Sequence, residues 1–361
     1  MIKYIGSKRT IVPVLGDIAR AVEARTAVDL FTGTTRVAQE FKRLGLTVTA
    51  ADIATYSDIL ARCYIQTDAT QVDRQGLGDA LAELKALPPR PGYFTRTFCQ
   101  AARYFQPHNG ARIDAIRTHL RDHYEASPLY PMLLTSLMLA ADRVDSTTGV
   151  QMAYLKQWAP RAYNKLDLRI PELLPGPGRA VCGDASQLAK TLPQTELAYL
   201  DPPYNQHRYF TNYHVWETLV RWDTPRHYGV ACKRIDGREQ RTKSLFNQKR
   251  EMPNALRDVI ANIRTDVLVV SYNDEAWVNA PEMMEWLSDA GYADVRLLSY
   301  DSKRYVGAQI GIYNPSGHKV GAVSHLRNIE YIFVAGPTEK VQAAAAAAHV
   351  HPRAVTGNVL F

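Results

Sequence analysis

Residues 27–35 read Ala27-Val28-Asp29-Leu30-Phe31-Thr32-Gly33-Thr34-Thr35, and the fold follows from what flanks them. Ala27 to Phe31 is a short apolar run that ends in a polar, glycine-containing turn. Beyond the turn, Val37, Phe41 and Leu44 recur at near-helical spacing, and Gly45 stands where a helix commonly stops. Leu46 to Ala51 then alternates and ends on Asp52, a second strand with an acid at its tip. Strand, tight turn, helix, strand is a βαβ unit, whose two strands lie parallel in one sheet with a right-handed crossover. The fold class is therefore α/β.

Outward from this unit the pattern changes. From about Tyr56 to Arg169 the chain reads as helical segments separated by breakers: Pro88-Pro89-Arg90-Pro91-Gly92, then Pro128, Pro131 and Pro160. Strand character returns at Ala180–Cys182, at Leu197–Leu200, at Val267–Ser271 and at Tyr331–Val334. No internal repeat is visible. The sequence thus predicts one sheet domain made of residues 1–55 and 170–335, interrupted by a mainly helical insertion over 56–169. Six alanines, Ala343 to Ala348, followed by His, Pro and Gly predict a loose tail over 336–361.

Composition narrows the function classes. The 361 residues are 46% hydrophobic and 22% charged, so disordered and fibrous architectures are excluded. The longest apolar stretch, Leu129 to Ala141, is broken by Pro131, Thr135 and Ser136 and is shorter than the ~20 residues of a membrane span. Met1 to Arg9 carries no apolar signal core. The four cysteines, at 63, 99, 182 and 232, form no C-x-x-C pair and no zinc spacing, and no metal is expected. These features predict a soluble cytoplasmic protein. Forty-three Lys and Arg against 36 Asp and Glu give a net charge of +7. From Arg226 to Arg250 there are eight Lys or Arg against Asp236 and Glu239, so nearly the whole excess sits in 25 residues. A basic loop over 224–252, with Lys233, Arg234, Arg238, Arg241 and Lys243, points to contact with phosphates.

The chemistry concentrates at Asp201-Pro202-Pro203-Tyr204, directly after the apolar run Leu197-Ala198-Tyr199-Leu200. Two prolines stop the strand and hold the backbone extended. Asp201 and Tyr204 then project above the carboxyl edge of the sheet, where open α/β sheets bind ligands. A carboxylate, the Pro202 carbonyl and an aromatic face suit a flat molecule that bears an amino group. Two acceptors on one aryl amine free its lone pair for attack, which is preorganised electrostatics without a covalent intermediate. Asn205, His207, Tyr209 and Phe210 continue the loop and are candidates to line a base pocket. Trp216 is expected to pack against the sheet, and Ser271-Tyr272-Asn273-Asp274 forms another polar cluster at a strand tip. Asp145 reads as a local turn cap, with Lys303, Arg304 and Tyr305 in a glycine-containing basic hairpin.

Asp-Pro-Pro-Tyr after an apolar strand resembles the catalytic motif of the DNA amino-methyltransferases, and the order of the remaining motifs resembles their Dam-like, adenine-specific subgroup. Lys3-Tyr4-Ile5-Gly6-Ser7-Lys8 stands for that subgroup's N-terminal segment, Asp29 to Thr35 for its glycine-containing turn, Asp52 for the acid at the second strand tip, and Gly183-Asp184 for a Gly-Asp pair before the catalytic motif. The resemblance implies a Rossmann-like, S-adenosylmethionine-dependent methyltransferase sheet with a helical target-recognition insertion. It implies that Tyr4 and Lys8 contact the cofactor, that Asp29, Phe31, Gly33, Thr34 and Thr35 wrap its methionine part, and that Asp52, with Ile53 beside it, accepts from the ribose. Asp184 would accept from the cofactor's adenine amine, and Asp201 would serve both cofactor and target.

Three departures bear on this. Ser7 replaces a glycine, the turn after Phe31 lacks a second glycine, and Ala185 stands where an aromatic often follows the Gly-Asp pair, so stacking on the cofactor adenine must come from elsewhere. The activity implied is methyl transfer to the 6-amino group of adenine in duplex DNA, in restriction-modification or epigenetic marking, with a cognate restriction endonuclease as a possible partner. The alternatives are the 4-amino group of cytosine, an RNA base, or a non-catalytic DNA-binding subunit.

Overall fold

The computed structural model describes residues 2–4, 8–203, 208–303, 312–313, 319–321 and 327–350, with the side chains of 241, 302–303, 312–313, 319–321 and 327 left aside. Tyr204, Asn205, His207, Arg304 and Tyr305, together with the side chains of Arg241 and Lys303, therefore lie outside the described residues. The core is a seven-stranded sheet: β1 (Thr26–Asp29), β2 (Thr47–Asp52), β3 (Gly178–Cys182), β4 (Thr195–Leu200), β5 (Thr265–Asn273), β6 (Asp294–Lys303) and β7 (Arg327–Gly336). Their order is β3-β2-β1-β4-β5-β7-β6. All run parallel except β7, which is antiparallel to both β5 and β6. The order reverses between β1 and β4, and such a reversal opens a crevice at the carboxyl ends of the strands.

Side chains alternate between two cores, as a period of two requires. Ala27, Leu197 and Val267 join one apolar cluster, while their neighbours Val28, Ala198 and Leu268 join the other. The helices Ala185–Thr191, Met252–Asn262 and Ala280–Asp289 cover the second face. The first face is covered by Val12–Ala21, Arg36–Arg43, Thr55–Ala61 and Tyr130–Arg143, among others.

That arrangement bears on two expectations. The helices of 56–169 share the sheet's core: Ile59, Leu60, Phe94, Leu133 and Leu137 belong to the same continuous cluster as Ala27 and Val48. The Thr55–Ala61 helix begins the crossover from β2 to β3, and the other helices extend that crossover over the same face. The tail is not loose as far as residue 349. Thr338–His349 is a helix whose Val341, Ala344 and Ala348 are buried at spacings of three and four, and the Tyr300 hydroxyl donates to the Ala348 carbonyl at 3.0 Å. Among the described residues no helix is long and apolar enough to cross a membrane.

Candidate active site

Four acids crown the carboxyl edge of four adjacent strands. Asp29 ends β1, Asp52 ends β2, Asp184 stands two residues beyond β3, and Asp201 follows β4 directly. The turn after β1 lies across this edge. Its Thr32 amide donates to the Ala51 carbonyl at 2.9 Å and its Gly33 amide to Asp52 Oδ2 at 2.8 Å. Gly33 has φ +48°, and a Cβ there would come within 3.2 Å of the Tyr4 ring, so a side chain would be strained on both counts. Thr35 ends the same turn without a glycine. It adopts φ +63°, a left-handed conformation that a β-branched residue takes only under constraint. Its hydroxyl donates to the Thr34 carbonyl and accepts from the Gln39 amide at 2.8 Å, which helps hold it there.

Two adjoining cavities meet at Tyr4, Phe31 and Asp201. The wider one is walled by Asp52, Ile53, Gly183, Asp184 and Pro203, and on its far side by Thr242, Ser244 and Phe246. The narrower one is walled by Lys8, Asp29, Gly33, Thr34 and Arg36. Among the described residues, each that the sequence assigned to the cofactor or to catalysis borders one of the two, apart from Thr35 and Pro202, which are buried. Asp184 caps the Ala185–Thr191 helix, its Oδ1 accepting from the Ser186 amide at 3.0 Å. Ile53 remains 51% exposed, an apolar surface with room for a flat partner.

Burial raises Asp29, Asp52 and Asp201, and repulsion from neighbouring acids adds to it. Burial, the neighbouring Asp201 and Asp52 push Asp29 up to about 7, against the pull of the Thr32 hydroxyl, which donates to Asp29 Oδ2 at 2.9 Å. Burial pushes Asp201 up to about 6, Lys8 draws it down, and Glu330 pushes it up again. Lys8 Nζ sits 3.1 Å from Asp201 Oδ1 and is also paired with Glu330 on β7. Glu330 in turn lies 3.4 Å from the Ser271 hydroxyl. The site thus gathers acids in excess of cations at one edge, which favours a cationic ligand.

The His214–Arg221 helix is held from the helical crossover. Gln151 Oε1 accepts from the Val215 amide at 2.9 Å at the start of the His214–Arg221 helix. The buried Arg117 guanidinium donates to the Leu219 and Val220 carbonyls at 2.7 and 2.8 Å at its end. Glu217, fully buried, accepts from the Thr55 amide at 2.9 Å and pairs with Arg221 at 3.0 Å. Tyr209, from the turn before this helix, stacks on Tyr4, with ring centroids 5.4 Å apart, and Tyr4 stacks on Tyr213 at 4.7 Å. Trp216 is a core residue, as expected. Asp145 is more than a local cap: it bonds Arg161 at 2.8 Å and lies 3.3 Å from Lys3.

The basic loop divides into two parts. Arg234 is 3% exposed and paired with Asp223 and Asp236, so its charge is not available to a phosphate. Lys233 and Lys243 are half-buried, while Arg238, over the Tyr228 ring at 3.8 Å, and Lys249 and Arg250 are exposed. The same loop also turns Phe246 inward, edge-on to Phe31 at 4.9 Å, where it walls the wider cavity. Sequence reasoning left Phe246, Arg36 and Glu330 unassigned. Leu245-Phe246, an apolar pair inside a polar basic stretch, was the readable signal for the first; Glu330 meets Lys8 across 322 residues of chain and offered none.

Comparison with known proteins identifies the family. The family model for the D12 class N6 adenine-specific DNA methyltransferases matches residues 4–285. The chain is 28% identical over 322 residues to Modification methylase StsI of Streptococcus sanguinis, covering 82% of this chain and 48% of that protein. It is 29% identical over 313 residues to Type II methyltransferase M.NlaIII of Neisseria lactamica, covering 82% of this chain and 91% of that one. The chain therefore spans about half the length of the first relative and nearly all of the second. With the match running over most of its length, the chain belongs to the D12 class N6 adenine-specific DNA methyltransferase family.

Proposed function

We propose that this chain transfers a methyl group from S-adenosylmethionine to the 6-amino group of adenine in duplex DNA. The observation that carries the reading is Asp201-Pro202-Pro203 at the end of β4, beside the reversal of strand order, with Asp201 bordering both cavities.

The residues present fit the cofactor. Asp29 is 1% exposed and its Oδ1 has no hydrogen-bond partner among the described residues, an acceptor left for a donor from outside. Gly33 keeps the backbone low against Tyr4, which leaves room above the turn. Asp29, Gly33 and Thr34 would hold the amino-acid end, Asp52 the ribose hydroxyls, and Asp184, Ile53 and Phe246 the purine. Phe246 would thereby supply the aromatic wall that Ala185 does not. When bound, the cofactor supplies an activated methyl group on a positively charged sulfur.

The chain's own contribution is to position and polarise. The acids at the strand tips complement a cation, and Lys8 orients Asp201 without neutralising the whole group, because Glu330 shares it. The Asp201 carboxylate and the Pro202 carbonyl would each accept one hydrogen of the target amine, which frees its lone pair to form the new N–C bond. The electrons of the broken S–C bond would stay on sulfur, and the surplus amine proton would pass to Asp201. Tyr204 would stack on the base, with Asn205, His207 and Tyr209 beside it. A base reaches this recess only when turned out of the duplex. Arg238, Lys243, Lys249 and Arg250 would meet phosphates, and the helices of 56–169 would supply sequence recognition. By its likeness to proteins named as modification methylases, the chain would act in the cytoplasm in a restriction-modification pair with a cognate endonuclease.

The test is transfer of labelled methyl to duplex DNA of varied sequence, followed by digestion to nucleosides and mass analysis. Label in 6-methyladenine bears the reading out. Label in cytosine, or only in RNA, overturns the assigned substrate.

A further inference from the structure

The narrower cavity holds a cation that no described residue pairs with. Arg36 opens the Arg36–Arg43 helix, is half-buried, and has no hydrogen-bond or ion-pair partner among the described residues. Arg9 and Arg43 repel it, with a lesser opposing pull from Tyr64. A cation withdrawn from water and set among like charges is costly unless an anion arrives to meet it. The helix start adds to the same need, because no side chain caps it: the Thr35 hydroxyl is turned to Thr34 and Gln39. Across the same cavity lies the buried, unpartnered Oδ1 of Asp29. One cavity therefore presents an orphan acceptor and an orphan cation, the complement of an ammonium and a carboxylate on one small molecule.

We propose that Arg36 binds the carboxylate of the cofactor's amino-acid end, so that the Asp29–Arg36 pair reads that end as a zwitterion. This rests on the cofactor reading above. Continuity favours the cofactor over a DNA phosphate as the anion: the cavity of Arg36 shares Tyr4, Phe31 and Asp201 with the wider one, and Asp29 and Lys8 flank it with buried groups that a duplex backbone would not reach.

The experiment compares two ligands on the purified chain by calorimetry. S-adenosylhomocysteine keeps the amino-acid end and 5′-methylthioadenosine lacks it. Arg36→Gln should weaken the first about 10- to 100-fold, the range of a charge-assisted bond, and leave the second within about twofold. Arg36→Lys should restore part of the loss. Because Gln relieves the repulsion with Arg9 and Arg43, the melting temperature of ligand-free protein should hold or rise. Equal weakening of both ligands, or of neither, overturns the proposal. So does a lowered melting temperature with both affinities reduced, which would make Arg36 a structural residue. A loss confined to duplex affinity would reassign it to a phosphate. Wild-type protein that binds neither ligand would instead overturn the cofactor reading itself.

Discussion

Replacing Asp201→Asn separates chemistry from architecture more cleanly than any other single change in this site. The substitution keeps the shape and one acceptor oxygen but removes the charge. Breaking a buried ion pair outright costs roughly 3–5 kcal/mol, because it leaves a bare charge behind. Here it does not: Lys8, 8% exposed, retains Glu330 as counter-ion, and the repulsion between Asp201 and Glu330 disappears. The expected stability loss is therefore about 1 kcal/mol or less. The catalytic loss is of another size. Removing a preorganised group aimed at developing charge costs roughly 10²–10³ in kcat. Single-turnover methyl transfer at saturating cofactor and duplex, with cofactor affinity and melting temperature measured alongside, reads the two terms apart.

The same variant carries a signature in pH. With Asp201 raised to about 6, wild-type turnover should fall as pH drops through that value, since the protonated acid no longer draws on the amine. The Asn variant lacks this titration, so at saturating cofactor its fall in single-turnover rate across the same interval should be much shallower than that of wild type. Transfer within about threefold of wild type would refute the mechanism. A collapse of cofactor affinity and melting temperature together would show that Asp201 only holds the loop in place.

Three further outcomes follow from neighbouring residues. Phe246→Leu keeps most of the buried volume and should cost under ~1.5 kcal/mol in stability. The lost aromatic contact should weaken S-adenosylhomocysteine and 5′-methylthioadenosine by the same factor, about 2- to 12-fold, since it acts at the purine end; unequal losses would refute that placement. Asp29 and Asp201 have folded-state pKa values above their unfolded ones, so their stabilising contribution is complete below about pH 4 and is lost as pH rises through about 7. A cationic ligand offsets that loss, so its increase in melting temperature should be larger at pH 8 than at pH 6, and the reverse order would argue against these acids facing the cofactor. Exchanging both exposed cations, Lys249→Glu with Arg250→Glu, should flatten the salt dependence of duplex binding by about two in log–log slope and leave cofactor affinity unchanged.

What could be read in advance was what local chemistry dictates. Parallel strands covered on both faces become near-continuous apolar runs, which is why β1, β4 and β5 stood out. Asp29 and Asp201 lie at the ends of such runs and Asp52 at the end of an alternating one, so their placement at strand tips was legible from the residues, whereas Asp184 was singled out only by the family resemblance. The edge strand β6 was not, because Asp294-Val295-Arg296-Leu297 alternates like many amphipathic segments and has only one strand neighbour. Arg234 was misread because a count of charges does not distinguish a solvated cation from one closed between Asp223 and Asp236. The alanine run looked featureless, yet its small side chains are what let the Thr338–His349 helix sit close against the sheet's first face, with Val341, Ala344 and Ala348 inward.

The packing of the helical region gives it a structural part beside the recognition proposed for it. An insertion that only read DNA could hang from the sheet by two linkers. Instead it shares the sheet's core and grips the His214–Arg221 helix at both ends, through Gln151 at its amides and Arg117 at its carbonyls. Arg117 is buried and donates to helix-terminal carbonyls, where a cation is favoured by the helix dipole. Glu217 ties the same helix sideways to Thr55, at the start of the crossover from β2 to β3. The loop from Asp201 to Tyr213 is thus anchored at one end by β4 and at the other by a helix that the crossover holds. Catalysis by two acceptors on one amine tolerates little displacement, since a misplacement of about an ångström is enough to lose most of the advantage of orientation. A rigid frame at both ends of the catalytic loop meets that demand, and it makes the region first read as a recognition insertion part of the frame that positions the chemistry.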